Sequence, residues 1–253
     1  MMNTNTNPNA APKLPADDYH VEGRAVAAGR GWDWIVEGFT LFRKQPGMWI
    51  LMTVALGVLF VLLGMIPLLG SFASALLFPI FGGGLMLGCR ELDQGGAFEF
   101  EHLFAGFRQK TGDLAMVGAF NLFGWVVIFF AVAAVVGGGV FMGVMRGGIQ
   151  GAGMSIASML IALLLVAGLS MPLYMATWFA PALIVLDGVS AGAALKASLF
   201  ACFRNWMPFL LYSVVLLVLG VVAVIPAGLG YLVLVPVLTA SVYVAYRDIF
   251  CTA

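Results

Sequence analysis

Residues 47–70 of the chain, GMWILMTVALGVLFVLLGMIPLLG, and residues 72–89, FASALLFPIFGGGLMLGC, decide the fold. Neither stretch contains Lys, Arg, Asp, Glu or His. A helix that crosses the hydrocarbon core of a bilayer, which is about 30 Å thick, needs about 20 such apolar residues. Between the two stretches, Pro67 interrupts helical hydrogen bonding and Gly70 permits a turn. The segment therefore predicts two antiparallel membrane spans joined by a tight turn.

Similar apolar stretches recur along the rest of the chain. The fourth of them is ambiguous, because apolar character continues to residue 186 through Pro172 and Pro181. We favour one long kinked helix there over a span that ends near Tyr174 and is followed by a short interfacial segment. Either alternative gives six spans, at about residues 47–69, 72–89, 114–136, 153–174, 207–224 and 230–246.

The composition excludes most other protein classes. The 253 residues are 62% hydrophobic and 9% charged, whereas a soluble domain carries about 25% charged residues. Disorder and a disulfide scaffold are excluded by this hydrophobicity and by three widely separated cysteines. We predict an all-α fold, a polytopic membrane helix bundle of six transmembrane helices with three amphipathic interfacial helices. Residues 1–28 are predicted to be a flexible N-terminal tail, and residues 29–253 a single six-span membrane domain.

The basic residues predict the orientation. Short cytoplasmic loops of membrane proteins carry an excess of Lys and Arg. With six spans, every Lys and Arg except Arg146 falls on the side that holds both termini. We therefore predict a multi-pass protein of the bacterial inner (plasma) membrane with both termini in the cytoplasm. The formal net charge is zero, so no basic field indicates binding to nucleic acid.

A Phe-x-x-Phe-Arg motif occurs three times, each time shortly before a predicted span. The residues ahead of each motif have the helical spacing of an amphipathic helix. We predict that these helices lie in the cytoplasmic membrane interface, with Phe facing lipid and Arg reaching headgroups. A belt of Trp at the same depth, formed by Trp32, Trp34, Trp49 and Trp206, is expected as well. The motif residues are Phe39, Phe42 and Arg43, then Phe104, Phe107 and Arg108, and then Phe200, Phe203 and Arg204.

The motifs belong to longer pseudo-repeat units, which we place at residues 32–93, 98–187 and 195–249. In the first and third units, Pro79 precedes Arg90 by 11 residues, and Pro236 precedes Arg247 by 11 residues. We favour duplication over convergent composition near the membrane. In the middle unit a Gly-rich stretch, residues 137–153, replaces the tight turn. It predicts an irregular external loop rather than a helix with a stripe of small residues.

Residues that carry chemistry are scarce. Both histidines, His20 and His102, lie outside the predicted spans, and no nucleotide-binding or metalloprotease motif is present. Asp187 is expected to cap the N-terminus of the following helix. Asn121 and Thr177 are the candidate intramembrane polar residues, and bridging between helices is the favoured role for Asn121. We therefore expect no catalytic residue, no metal and no cofactor, and predict that the protein is not an enzyme.

The stretch Trp178-Phe-Ala-Pro181, its continuation to Asp187-Gly188, and the later Asn205-Trp206 carry a resemblance. Together with the ending Tyr246-Arg-Asp-Ile-Phe, they resemble an uncharacterised proteobacterial six-span inner-membrane protein family. That group is distantly similar to the membrane domain attached to some glycerophosphodiester phosphodiesterases. The resemblance implies the six-span architecture over about residues 30–250, and it transfers no catalytic residue.

Two functions follow as hypotheses. The first is a non-enzymatic integral membrane protein that organises the membrane surface or docks a partner. Its expected partners are membrane lipids, with another membrane protein as a further candidate. The alternative is a transporter or lipid-handling protein for an apolar or amphipathic substrate, which a pocket around Asn121 or Thr177 would favour. The sequence predicts no oligomeric state.

Overall fold

The computed structural model describes residues 23–147 and 156–251. Over these residues the fold is all-α, and six of the helices are long and apolar enough to cross a membrane, which confirms the predicted class and number of spans. The helices of the described residues are α1 (Arg30–Lys44), α2 (Pro46–Gly64), α3 (Leu69–Asp93), α4 (His102–Arg108), α5 (Thr111–Gly147), α6 (Ile156–Trp178), α7 (Ala180–Leu186), α8 (Ala191–Arg204), α9 (Trp206–Val224) and α10 (Tyr231–Phe250).

Two helical hairpins have the same design. The spans α2 and α9 each have 19 residues, and a short turn that contains Pro leads from each into the next span. The turns need backbone in the left-handed region, at Leu68 with φ 61° and at Ala227 with φ 55°. This region is uncommon for residues other than glycine. After each turn, α3 and α10 carry an internal proline, Pro79 and Pro236.

The predicted external loop at residues 137–153 is wrong over its described part, because α5 continues as a helix to Gly147. Glycine is tolerated in membrane helices, since a lipid-exposed irregular segment would leave backbone groups without partners. Gly139 also has a packing reason, because a Cβ atom there would overlap the side chain of Ser158 on α6. Gly139 therefore serves the contact between α5 and α6. The rest of the stretch lies outside the described residues.

The segment around Pro181 lies between the two predicted alternatives. The helices α6 and α7 follow one another with one residue, Phe179, between them. The chain is therefore nearly continuous from Ile156 to Leu186. However, α7 is not at an interface: Ala180, Ala182 and the three residues that follow are buried. This short helix packs against α3, α5 and α8, and it forms the centre of one end of the bundle.

The hydrophobic core is concentrated at that end. In α3 and α10, half of the apolar 18-residue stretch that could cross the membrane is buried inside the protein. In the other four spans only 6–17% of that stretch is buried. In α3 and α10 the buried residues are mainly those that follow Pro79 and Pro236. The other surfaces of the spans are apolar and uncovered, as expected where lipid is the solvent. The largest fully buried side chains include Trp34, Trp49, Phe98, Phe179 and Phe250.

The three short helices that carry the motifs pack in a cyclic order. Helix α4 packs on α3, α8 packs on α6, and α1 closes the cycle by packing on α10. Close approach needs small residues. A Cβ atom at Gly106 would overlap the carbonyl oxygen of Ile80, and one at Gly38 would overlap that of Val237. The short helix of each predicted unit therefore packs on the last span of the preceding unit, and the short helix of the first unit packs on the last span of the third.

Part of the predicted N-terminal tail packs on the bundle. The backbone N–H of Arg24 donates to the carbonyl of Ile249 at 2.8 Å. A Cβ atom at Gly23 would overlap the side chain of Ile249. Residues 23–28 therefore lie against the end of α10, and residues 1–22 lie outside the described residues.

The glycine at the α3–α4 contact gives a direct test of this packing. We expect Gly106→Ala to lower the free energy of unfolding by about 1–3 kcal/mol, because the added methyl group must push α4 away from α3. The matched control is Gly57→Ala in α2, where an added Cβ atom meets no neighbour. The control should be neutral or stabilising by up to about 1 kcal/mol. Thermal unfolding in detergent measures both, and equal stability of the two variants would contradict the packing described here.

Candidate functional site at the charged end of the bundle

The three Phe-x-x-Phe-Arg motifs present the same stripe of side chains. The first Phe and the Arg are four residues apart, and so they are neighbours along one face of the helix. The first Phe is 43–53% exposed in each of the three motifs, and the Arg is exposed in each of them. The three pairs are Phe39 with Arg43, Phe104 with Arg108, and Phe200 with Arg204.

The second Phe of the motif differs in its exposure among the three copies. Phe107 and Phe203 are exposed, but Phe42 is only 6% exposed. Phe42 is four residues from Gly38 and therefore shares the face of α1 that packs on α10. Its ring stacks on Phe39 with a centroid distance of 6.0 Å. The structure thus departs from the predicted lipid-facing position at Phe42 alone among the six aromatic residues.

The three arginines differ in what they bind within the protein. Arg204 donates to the carbonyl oxygen of Gly23 at 2.7 Å. Arg108 lies 3.8 Å from the carboxylate of Glu101, and both side chains are highly exposed, so this pair contributes little stability. Arg43 has neither a hydrogen bond nor an ion pair with any group in residues 23–147 or 156–251. Among the three, its guanidinium is the most available to a ligand.

A cluster of hydrogen bonds centres on Asp248, near the end of α10. Arg30 Nε donates to one carboxylate oxygen at 2.6 Å, and Trp34 Nε1 donates to the same oxygen at 2.9 Å. Arg24 Nη2 donates to the other oxygen at 2.9 Å. The hydrogen bond to Asp248 raises the pKa of Arg30 above its ordinary value, although burial opposes this effect. One partly buried carboxylate therefore fixes the N-terminal segment and α1 on α10.

The same cluster continues to α3. Glu37 bridges Arg30, at 3.2 Å, and Arg247, at 3.0 Å. Arg247 also pairs with Asp93 at 2.6 Å, and the Tyr243 hydroxyl donates to the same carboxylate oxygen at 3.2 Å. We call the residues of these contacts the charged cluster: Arg24, Arg30, Trp34, Glu37, Asp93, Tyr243, Arg247 and Asp248. The charged cluster holds the polar face of α1 toward α3 and α10.

Backbone N–H groups at the start of each unit are also bonded in cyclic order. Asn205, between α8 and α9, accepts the N–H of Val26 at 2.8 Å. Gln45, between α1 and α2, accepts the N–H of Phe98 at 2.8 Å. Asp113, at the start of α5, accepts the N–H of Ala191 at 3.0 Å. A polar side chain near the start of one unit's first span therefore holds the chain where the next short helix begins.

Sequence reasoning missed most of these residues. Trp34 and Trp49 are fully buried, so the expected Trp belt at the membrane surface is wrong for both. Asp187 is not the predicted helix cap: α8 starts after Ser190, and the Asp187 carboxylate accepts the Tyr246 hydroxyl at 2.6 Å. The available signal was the recurrence of Arg followed by an acid at residues 90–91 and 247–248.

Within the described residues, no hydrogen bond joins the two candidate intramembrane polar residues. Thr177 Oγ1 donates to the carbonyl oxygens of Leu173 and Tyr174 in its own helix. Asn121 is half-buried, and no hydrogen bond to it occurs within the described residues. The bridge between helices expected at Asn121 stays a prediction.

The groups exposed at this end are mainly basic and aromatic. His102 Nδ1 lies 3.0 Å from the N–H of Glu99, next to its own short helix. Burial raises the pKa of the Cys202 thiol to about 12, so this thiol is protonated and unreactive at neutral pH. Within the described residues, no group of three or more His, Cys, Asp or Glu side chains is placed to hold a metal ion. The exposed features are basic side chains beside aromatic rings, which suit anionic and amphipathic ligands.

The chain is similar to a probable inner membrane protein of Burkholderia thailandensis. The two are 30% identical over 228 residues, which cover 86% of this chain and 82% of the relative. No family model matches the chain. No solved structure matches it.

The charged cluster predicts a large effect of a small change. We expect Asp248→Asn to lower the free energy of unfolding by about 1–3 kcal/mol, because two arginines lose a partly buried charged partner. The control is Asp33→Asn, since Asp33 is half-exposed and pairs with Arg30 at 3.3 Å on the same helix. It should change stability by no more than about 0.5 kcal/mol. Thermal unfolding of both purified variants decides the point, and an Asp248→Asn protein as stable as the control would refute the role of the cluster.

Proposed function

Because the chain belongs to the inner-membrane protein family of its Burkholderia thailandensis relative, we propose that it is a non-enzymatic protein that organises lipid at the cytoplasmic membrane surface. It is an integral inner-membrane protein with six apolar helices. The proposal concerns what its short helices do. Helices α1, α4 and α8 lie in the interface, insert Phe among acyl chains and bind lipid phosphates through Arg.

The observation that carries this proposal is the threefold exposed pair of Phe and Arg. A ring and a guanidinium one helical turn apart match the boundary between acyl chains and headgroups. Each basic residue near an anionic membrane surface contributes about 1 kcal/mol to attraction. The first Phe of each motif is exposed although one face of each short helix is packed on the bundle. Lipid contact is the physical reason for leaving them uncovered.

The cytoplasmic position of both termini is part of the proposal. It is supported by the basic residues that gather at one end of the bundle, where Arg24, Arg30 and Arg247 share carboxylate partners. It is also supported by the positive-inside rule, since 11 of the 12 Lys and Arg residues fall on that side of six spans.

A distant relationship to the membrane domain attached to some glycerophosphodiester phosphodiesterases is proposed as well. It is supported by the residues around Pro181 and Asn205 and by the order of six spans. A solved structure of such a membrane domain tests it. A counterpart of buried α7 and the same cyclic packing of the short helices are expected there, and a different order of packing would contradict the relationship.

Charge reversal at the motifs tests the lipid-organising role. In reconstituted vesicles, the wild type should restrict the motion of spin-labelled phosphatidylglycerol more than that of spin-labelled phosphatidylcholine. Replacement of Arg43, Arg108 and Arg204 by Glu should abolish this preference, because the phosphate loses its cationic partners. The preference is measured by electron paramagnetic resonance.

A matched control separates the motif from bulk charge. Replacement of Arg90, Lys110 and Lys196 by Glu makes the same change in net charge outside the motifs. This control should retain most of the preference for phosphatidylglycerol. Equal losses in both triple variants would show that the motifs have no special role.

Single introduced cysteines test the orientation. The native Cys89, Cys202 and Cys251 are buried and should not react with a thiol reagent. Met65→Cys, at the exposed α2–α3 turn, should react with a membrane-impermeant maleimide added to intact cells. Glu101→Cys, at the charged end, should react only after the membrane is permeabilised. The reverse pattern would place the termini outside.

A further inference from the structure

An apolar groove of about 560 Å³ lies between α1, α9 and α10. Its size is within the range of sites for small organic molecules. On one side it is lined by the outward face of α1, including Trp32, Val36 and Phe39. On the other sides it is lined by the ends of α9 and α10 next to their turn, including Val222 and Val233. The groove therefore runs from the short helix α1 to the opposite end of the α9–α10 hairpin.

The face of α1 that lines the groove ends in a charge. Residues at spacings of three and four share a helical face, so Val36, Phe39 and Arg43 form one stripe. The opposite, polar face of α1 is held by the charged cluster through Arg30 and Glu37. Helix α1 therefore keeps this stripe turned to the groove, with Arg43 one turn beyond its last ring.

The corresponding place under α4 is occupied by the protein itself. There Phe81 packs against Phe107 at a centroid distance of 5.3 Å, and against Phe104 and Phe60 at 6.1 Å. Counted from the prolines that the two units share, Phe81 corresponds to Leu238, and Phe60 corresponds to Leu219, which lines the groove. The third unit thus has smaller side chains where the first has rings. Space is left under α1, where the protein fills it under α4.

We infer that this groove is a binding site for one anionic phospholipid, with an acyl chain in the groove and the phosphate at Arg43. The inference rests on the proposed function and names one specific lipid position within it. In a bilayer an apolar void beside a membrane helix loses its dispersion contacts unless a chain fills it. The lining named above is apolar, so the headgroup lies outside the groove. Arg43 is the cation that its α1 stripe offers there, and it has no competing partner in the described residues.

The experiment compares the wild type with a variant in which a larger side chain, placed at an exposed position of α9, occupies the groove. The full chain is reconstituted in phosphatidylcholine vesicles that contain a small fraction of phosphatidylglycerol with a photoactivatable diazirine on its acyl chain. After irradiation, labelled peptides are mapped by mass spectrometry. We expect labelling of α1, α9 and α10 at the groove in the wild type. Val222→Trp should reduce it at least fivefold, because the indole ring occupies the space of the acyl chain.

The neighbouring residue provides the matched control. Val221 is exposed on α9 but does not line the groove, so Val221→Trp should leave the labelling unchanged. If a variant of α9 fails to fold, a second pair of variants repeats the test from α10. Val233→Trp fills the groove, because Val233 lines it, and Val235→Trp is the control, because Val235 is exposed but does not line the groove. Groove labelling that is the same in the filling variants and their controls would overturn the inference.

The headgroup is tested separately. Arg43→Gln should lower groove labelling by phosphatidylglycerol about fivefold, the factor that corresponds to about 1 kcal/mol. Arg90→Gln should not change it, since Arg90 lies on α3, outside both the motifs and the groove. Equal labelling in both variants would overturn the assignment of the phosphate to Arg43. The filling variants retain all three motif arginines, so they can fail while the motif charge reversals succeed, and the two proposals are distinguished.

Discussion

The carboxylate of Asp248 is the interaction on which the rest of the arrangement depends. It joins the N-terminal segment and α1 to the last span, across more than 200 residues of sequence. With Arg30 and Glu37 bound to this end of the bundle, only one face of α1 can remain uncovered. That face carries the exposed Phe39 and Arg43. The exposure of Phe39 and Arg43 is therefore a consequence of a partly buried ion pair on the opposite side of the same helix.

Contacts within the protein stabilise one end of the bundle, and the spans at the other end depend on contacts with lipid. At the charged end, short helices cover the second halves of α3 and α10, and a conventional buried core results. Toward the other end the spans expose continuous apolar surface, as at Leu217 and Val221 of α9. Their backbone groups are satisfied within each helix, so lipid can take the place of protein neighbours. A protein of this design has its specific chemistry at one membrane surface.

The spans were predictable because absence of charge over about 20 residues has one main physical explanation. The helix at residues 137–147 was not, since glycine signals a loop in water but remains helical in lipid. The motif residues were placed on the right elements, yet the burial of Phe42 and Trp34 was not predicted. Which face of a short amphipathic helix packs on protein depends on a partner far along the chain. The role of Asp248 was not predicted for the same reason.

The cyclic order of the short helices has a consequence for biosynthesis. The partner of α1 is α10, which is the last described helix to leave the ribosome, whereas α4 and α8 find their partners already inserted. Until α10 has been synthesised, Trp34 can pack only on α9 and Gly38 lacks its partner surface, so α1 is held more loosely at the membrane. A chain that lacks α10 would therefore leave α1 incompletely docked and open to proteolysis.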